Sequence, residues 1–291
     1  MSDSNAITTE IPSVSDPRVY LALPAYGGNM QAGFVNSLLR LQSEIKIVGQ
    51  VDVIGGDSLV NRARNNLAHR FLKGTAGQDG NGNAVKILFD WLLFIDTDII
   101  FDPAEIQMLY DLAVKGGVGI YAGTYALKQL RPKVVFNPMA GQRPDAEGVC
   151  EVREAGTGCM LIHRGVFEKM IEVFGDEMRF EADSGDVTAA REVKYDFFTV
   201  GVRMDPVVGW KRFLSEDWYF CQRWRETGGK ILMHTGVQCQ HIGTFVYPPN
   251  PKEMIEVGEI YRRAFEDKAA KIAAEQMADK SGYEMPEAVA V

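Results

Sequence analysis

The stretch Trp91 to Phe101, read as Trp-Leu-Leu-Phe-Ile-Asp-Thr-Asp-Ile-Ile-Phe, constrains this chain more than any other. An apolar run leads into two aspartates one residue apart, and further apolar residues follow. A run of this length reads as a buried strand, and Asp102-Pro103-Ala104-Glu105 directly after it reads as a helix start. Carboxylates at the mouth of a buried strand are costly unless their charge is compensated, and a divalent cation compensates it. The spacing suits one shared ion. Either the backbone turns after Asp96, or the strand continues with Asp96 and Asp98 on one face. A plainer alternative is a polar turn that closes the strand and caps the next helix.

At 291 residues, 46% hydrophobic and 24% charged, the chain holds the apolar material of one large α/β domain or two small ones. Its net charge of -8 argues against a broad nucleic-acid footprint, while a local basic groove stays compatible with it. Cys150, Cys159, Cys221 and Cys239 form no C-x-x-C pair, so they read as reduced core thiols rather than a disulfide scaffold or zinc site. No apolar run approaches the ~20 residues that span a bilayer. Met1-Ser-Asp-Ser-Asn carries no charged-then-apolar signal pattern. The expectation is a cytoplasmic protein without an integral membrane segment.

Taken in order, residues 1–16 read as a mobile lead-in and 18–23 as a strand ending at Pro24-Ala25-Tyr26-Gly27-Gly28. A helix is expected from about Asn29, with Met30, Phe34, Leu38 and Leu41 on its apolar face. A strand over 45–54 ends at Gly55-Gly56-Asp57. In a helix over 58–72, Leu59, Ala63, Leu67 and Phe71 face the core, Arg62, Asn65 and His69 face elsewhere, and Arg64 lies between. The plain reading of that second side is a solvated polar face. Residues 74–83 read as a flexible loop, 103–115 as a helix and 118–122 as a strand. This alternation predicts a mostly parallel sheet covered on both faces, with ligands beyond the carboxyl ends of its strands. Pro24-Ala25-Tyr26, Gly56-Asp57 and Asp96-Thr97-Asp98 all fall at those ends.

Past Gly123 the pattern loosens. Strands over 133–136 and 148–153 are expected to pair, and Gly156-Thr157-Gly158 reads as a bend, either a bulge or a close approach for a ligand. A helix follows over 164–174. The aromatic-rich stretch 175–211 reads as a binding loop or lid. A helix over 214–227 carries Ser215 as N-cap, Glu216 and Asp217 in its first turn, and Trp218, Cys221 and Trp224 inward. Acidic residues there also serve simply to complement the helix dipole. A strand over 230–233 precedes His241, whose bland reading is a satisfied core histidine. An amphipathic helix over 254–274, with Val257, Tyr261, Phe265, Ala269 and Ile272 on one side, suits packing or a homodimer, and the tail beyond 276 reads as mobile.

Together these features resemble a GT-A-type glycosyltransferase, in the compact soluble form of phages and bacteria. The resemblance rests on Leu23-Pro24-Ala25-Tyr26, Asp57 with Asn61-Arg62-Ala63-Arg64-Asn65, Phe94-Ile95-Asp96-Thr97-Asp98, Ala155-Gly156-Thr157-Gly158-Cys159, Ser215-Glu216-Asp217 and His241, in that order over about 18–245. It implies a Rossmann-related α/β/α sandwich with a mostly parallel central sheet. One catalytic domain would span 17–247, with a nucleotide-binding half (17–123) and an acceptor and sugar half (124–247), followed by a C-terminal amphipathic helix (248–275) and a tail (276–291). It also implies host cytoplasm as the location if the chain is phage-encoded.

The same resemblance implies roles. Pro24, Ala25, Tyr26 and Asp57 would line the base pocket, and Arg62, Arg64 and Asn65 would reach the nucleotide-sugar donor. Asp96, beside Thr97, would meet the ribose or the metal, and Asp98 and His241 would ligate Mn²⁺ or Mg²⁺. Gly156, Thr157 and Gly158 would shape the sugar pocket. Asp217, beside Glu216, would be the base of an inverting hexosyl- or pentosyltransferase, provided that burial raises its pKa. In a retaining enzyme the same carboxylates would only hold the donor sugar. A UDP-sugar is the preferred donor, and the hydroxyl acceptor would be a glycan, a protein or a modified DNA base. Two other classes fit less well. A sugar nucleotidyltransferase needs a basic phosphate loop that Pro24 to Gly28 lacks, and a non-catalytic binding protein of the same fold would not need intact acid pairs.

Overall fold

The computed structural model describes residues 8–10, 18–78, 81–129, 133–182, 191–205, 209–243 and 246–247, and also 256, 259, 262, 263, 266 and 267. Its central elements are β1 (Val19–Ala25), α1 (Ala32–Glu44), β2 (Val48–Gly55), α2 (Val60–Lys73), β3 (Trp91–Ile95), α3 (Pro103–Gly116) and β4 (Ile120–Thr124). They continue with β5 (Phe136–Pro138), β6 (Val149–Ala155), β7 (Cys159–His163), α4 (Arg164–Met178), α5 (Glu216–Glu226) and β8 (Ile231–Gln238). One 8-stranded sheet runs in the order β2-β1-β3-β7-β4-β8-β6-β5.

The protein is thus α/β, with a large mixed sheet. β1 pairs in parallel with β2 and β3, and β4 with β8, while β7 and β6 run antiparallel to both of their neighbours. The expected mostly parallel sheet therefore holds for strand direction, but two reversed strands interrupt the parallel pairing. β6 also changes partner along its length. Val149–Glu151 pair with β8, and Val152–Ala155 pair with β5 across a register shift between Val152 and Glu154. This bend delivers Gly158 to Asp96, whose backbone N–H donates to the Gly158 carbonyl at 3.1 Å.

Strands β1, β3 and β4 are buried at every position, as continuous apolar runs covered on both faces must be. Alternate residues feed two cores. Tyr20, Ala22, Leu92 and Phe94 pack with Leu67, Phe71, Phe167 and Phe220 from α2, α4 and α5. Leu21, Leu23, Leu93 and Ile95 pack with Phe34, Leu41, Ile106 and Leu109 from α1 and α3. α3 opens with Pro103 and a reciprocal capping box between Asp102 and Glu105. All four cysteines are free and buried. Among the described residues, no helix is long and apolar enough to cross a membrane.

Several local expectations are corrected. α1 starts at Ala32 because Tyr26–Gly28 form a tight 3-10 turn, with Gly27 and Gly28 at positive φ. Leu59 is exposed rather than in the core, since it precedes α2 as its N-cap. The 74–83 loop is largely an antiparallel pair, Thr75–Gln78 with Ala84–Ile87, and Ala84–Ile87 also pairs with Thr8–Glu10 from the presumed lead-in.

Among its described residues, the stretch 175–211 expected as a binding loop or lid is mainly helix end and paired strands. α4 runs on to Met178, Arg179–Ala182 pairs with Glu192–Tyr195, and Gly201–Asp205 pairs with Trp210–Leu214. The second pair is inverted in polarity. Asp205 and Arg212 turn inward onto Arg153 and Glu154, while Val202, Met204 and Phe213 face outward. The helix over 254–274 lies outside the described residues except for 256, 259, 262, 263, 266 and 267, which are helical. Its apolar residues, Val257 to Ile272, and the tail also lie outside them.

Candidate functional site

The site is built around Arg64. Its helix, α2, follows β2, and the residue is only 3% exposed. Nη2 donates to Asp96 Oδ1 at 2.9 Å, and Nε donates to Glu216 Oε1 at 3.4 Å. The group also lies 5.4 Å from the centre of the Phe94 ring. Burial alone would pull Arg64 down, but Asp96 and Glu216 hold it above its ordinary range. Arg64 is thus not a boundary residue of its helix. It joins the carboxyl end of β3 to the start of α5. Its Nη1 is buried without a hydrogen-bond partner among the described residues.

Asp217 stands beside this bridge. Ser215 Oγ donates to its carboxylate, as does the Trp218 backbone N–H at 2.8 Å. Ser215 occupies the N-cap position, yet its hydroxyl serves Asp217 instead of the helix backbone. Burial and the neighbouring Glu216 charge push the Asp217 carboxyl up to about 6, against the Ser215 hydrogen bond, the Arg64 charge and the Trp218 N–H. The elevation that a general base requires is therefore present, and Glu216 contributes to it along with burial.

Tyr125, just past β4, closes the floor. Its hydroxyl accepts from the Gly158 N–H at 3.1 Å, and burial followed by the Asp217 and Asp96 charges raises its pKa far above the ordinary value. A Cβ on Gly156 would stand 1.9 Å from the Tyr125 hydroxyl oxygen, and one on Gly158 would stand 2.7 Å from its ring. These two glycines make room for Tyr125, not for a ligand's approach to the backbone. Thr157 between them is buried.

Asp98 lies one residue past Thr97. A short ladder pairs Ile99–Ile100 with Gln240–Ile242 and sets His241 opposite Ile99. His241 Nε2 comes to 3.4 Å from Asp98 Oδ1, and Lys128 Nζ pairs with Oδ2. Burial pushes the Asp98 carboxyl up, but His241 and Lys128 bring it below its ordinary value. His241 Nδ1 is 2.8 Å from the Ala126 carbonyl, which only accepts, so Nδ1 carries a proton and Nε2 is the nitrogen turned toward Asp98. Among the described residues Asp98 Oδ1 is buried without a well-aligned hydrogen bond, its polar neighbour being His241 Nε2 at 3.4 Å. An orphaned carboxylate oxygen and an oriented imidazole nitrogen sharing one space fit a borderline divalent ion such as Mn²⁺. Asp96 does not complete that set, because Arg64 holds it. Among the described residues no three His, Cys, Asp or Glu side chains are grouped to hold a metal.

The remaining expected residues fall nearby with other partners. Asp57 receives two hydrogen bonds from Arg62 Nε and one from Nη2, and its Oδ1 also accepts from the Leu59 N–H. The Arg62 hydrogen bond holds its carboxyl below the ordinary range. Asp57 is thus taken up by Arg62 and the Leu59 N–H, while the Arg62 side chain stays 56% exposed. Asn65 donates to Asp196 at 2.7 Å and accepts from the Phe198 N–H at 3.0 Å, so it orders the 196–198 segment and does not reach outward. Pro24 and Ala25 are buried at the end of β1, whereas Tyr26 is 75% exposed. Thr97 donates to the Asn29 carbonyl, and its own carbonyl accepts from Gln31, which fastens the loop after β1 to the aspartate motif.

Tyr125 and Lys128 were missed from sequence, although both follow the carboxyl end of β4, where strand order already placed a site. Trp218 also gains a role, since the Arg212 guanidinium lies 5.2 Å from its ring centre and ties the inverted strand pair to the acid motif.

No family model matches this chain, and no curated protein matches its sequence. Among solved structures it is similar to one described as "Crystal Structure of A197 from STIV", with 15% identity and a TM-score of 0.46, covering 80% of this chain and 94% of that one.

Proposed function

We propose that this protein is a metal-dependent glycosyltransferase of GT-A type, moving a sugar from a nucleotide diphosphate carrier to a hydroxyl acceptor with inversion. The observation that carries the reading is the Arg64 bridge. It gathers the aspartate motif and the Glu216-Asp217 pair, remote in sequence, at one sheet edge, where ligands of open α/β sheets bind.

In this reading Asp98 and His241 hold the ion, and Asp96 is kept by Arg64 for the ribose side. When bound, the ion neutralises the diphosphate and the charge that develops on it as it leaves. Asp217 removes the acceptor hydroxyl proton, for which a pKa of about 6 is well matched near neutrality. Glu216 raises that pKa and is itself anchored to Arg64. Tyr26, exposed beside the end of β1, offers a ring on which a base can stack.

The test is a panel of UDP- and GDP-sugars incubated with Mn²⁺ and the full chain, followed for release of the nucleoside diphosphate. Release from one donor, lost in Asp98→Ala, supports the reading. No release from any donor, by protein shown to be folded, argues for a non-catalytic role.

A further inference from the structure

Lys128 reaches Asp98 from a firmly held backbone. Ala126 bridges to Val134, the Leu127 N–H donates to the Lys133 carbonyl at 2.8 Å, and the Ala126 carbonyl is the acceptor for His241. One short segment therefore orients the imidazole on one oxygen of Asp98 and puts an ammonium on the other. The backbone is pinned, but the Lys128 side chain is 37% exposed and its four-carbon stem is flexible.

The two oxygens of Asp98 are not equivalent. Oδ2 is satisfied by Lys128, while Oδ1 faces His241 Nε2 at the longer distance of 3.4 Å and makes no well-aligned hydrogen bond among the described residues. A divalent ion on Oδ1 and an ammonium on Oδ2 of the same carboxylate repel each other strongly in a partly buried site. The ion is accommodated well only if Lys128 leaves, and Lys128 leaves readily only if another anion receives it. The diphosphate of a bound donor would supply such an anion.

Resting on the glycosyltransferase reading, we propose that Lys128 is a resident cation that holds Asp98 until metal and donor arrive together, and then transfers to the donor diphosphate. Metal and nucleotide binding are coupled through this one side chain, so that each tightens the other. The switch involves no covalent step; one ion pair is exchanged for another.

The experiment measures free Mn²⁺ by electron paramagnetic resonance, with and without UDP or GDP, in wild type, Lys128→Met and Lys128→Arg. The expected result for Lys128→Met is Mn²⁺ binding about 10-fold tighter without nucleotide, and nucleotide binding about 10-fold weaker at saturating Mn²⁺, a coupling of ordinary size. Lys128→Arg keeps the charge and is expected to keep the weak Mn²⁺ affinity of wild type. Because the side chain is partly exposed on a turn, thermal melts of both variants should match wild type, which separates this effect from misfolding. Nucleotide and Mn²⁺ affinities unchanged in Lys128→Met would overturn the proposal while leaving the glycosyltransferase reading standing. Absence of Mn²⁺ and nucleotide binding in all three folded proteins would overturn both.

Discussion

Arg64 and Glu216 lie 152 positions apart in the chain and meet at 3.4 Å, with the guanidinium almost wholly out of water. The same guanidinium holds Asp96 at 2.9 Å. Removing it leaves the largely buried Asp96 and Glu216 carboxylates without their shared cation. Arg64→Ala is expected to lower the unfolding free energy by about 3–5 kcal/mol, the usual cost of stranding a buried charge. Arg64→Lys should recover only part of this, because one ammonium cannot reproduce the fork. Urea denaturation of the two variants measures both values, and a loss below about 1 kcal/mol in Arg64→Ala would contradict the bridge.

Asp217 gives the pH dependence a definite sign. Its carboxyl moves from 3.8 in the unfolded chain to about 6 in the folded one. The folded state therefore favours the protonated form. This contribution to stability is fully present below pH 3.8 and is lost as pH rises through about 6. Asp217→Asn never carries the charge, so its stability relative to wild type should improve by about 3 kcal/mol between acid and neutral pH. Turnover should move the other way, rising through an apparent pKa near 6 in wild type and falling by about 10²–10⁴-fold in Asp217→Asn with donor binding retained. A flat pH–rate profile across this range would remove Asp217 as the base.

Tyr125 and Gly156 are fitted to each other. With a methyl group 1.9 Å from the phenolic oxygen, Gly156→Ala is expected to destabilise the fold by about 1–3 kcal/mol through overpacking. Combining it with Tyr125→Leu, which vacates that space, should cost less than the sum of the two single changes. The double-mutant cycle reports the coupling, and strict additivity would mean that the two do not share the space.

The inverted strand pair stands on a buried network. Arg212 donates to both oxygens of Glu154, at 2.8 and 3.1 Å, and Asn137 donates to Glu154 Oε2 at 2.5 Å. Glu154→Ala should therefore lower stability by about 3–5 kcal/mol, since it strands Arg212 and Arg153 beside Asp205 alone. Replacement of the outward Phe213, which is 70% exposed, should change stability by less than about 0.5 kcal/mol. Parallel denaturation curves compare the two.

Much of the sheet was legible because β1, β3 and β4 are uninterrupted apolar runs ended by turn residues, and such runs have few alternatives. Position along a strand also pointed to the candidate site, since Asp96, Asp98 and Asp57 all lie just past carboxyl ends. Partnership was not legible. Arg62, Asn65 and Asp57 are polar residues near the carboxyl edge of the sheet, yet each pairs with a protein group that only folding brings near. The strand pair 201–214 escaped for the opposite reason. Its inward side is charged and its outward side apolar, so it carries no apolar core-facing pattern and reads as a loop. Lys128 gave no signal of its own, because nothing in Leu-Lys-Gln foretells a carboxylate 30 residues away.

The most direct test of the central claim is isothermal titration of UDP and GDP into wild type and Asp98→Ala, each with and without Mn²⁺. The account predicts that one nucleotide binds wild type only when Mn²⁺ is present and fails to bind Asp98→Ala under either condition. Failure of both nucleotides to bind folded wild type, or binding that ignores both Mn²⁺ and the loss of Asp98, would contradict it.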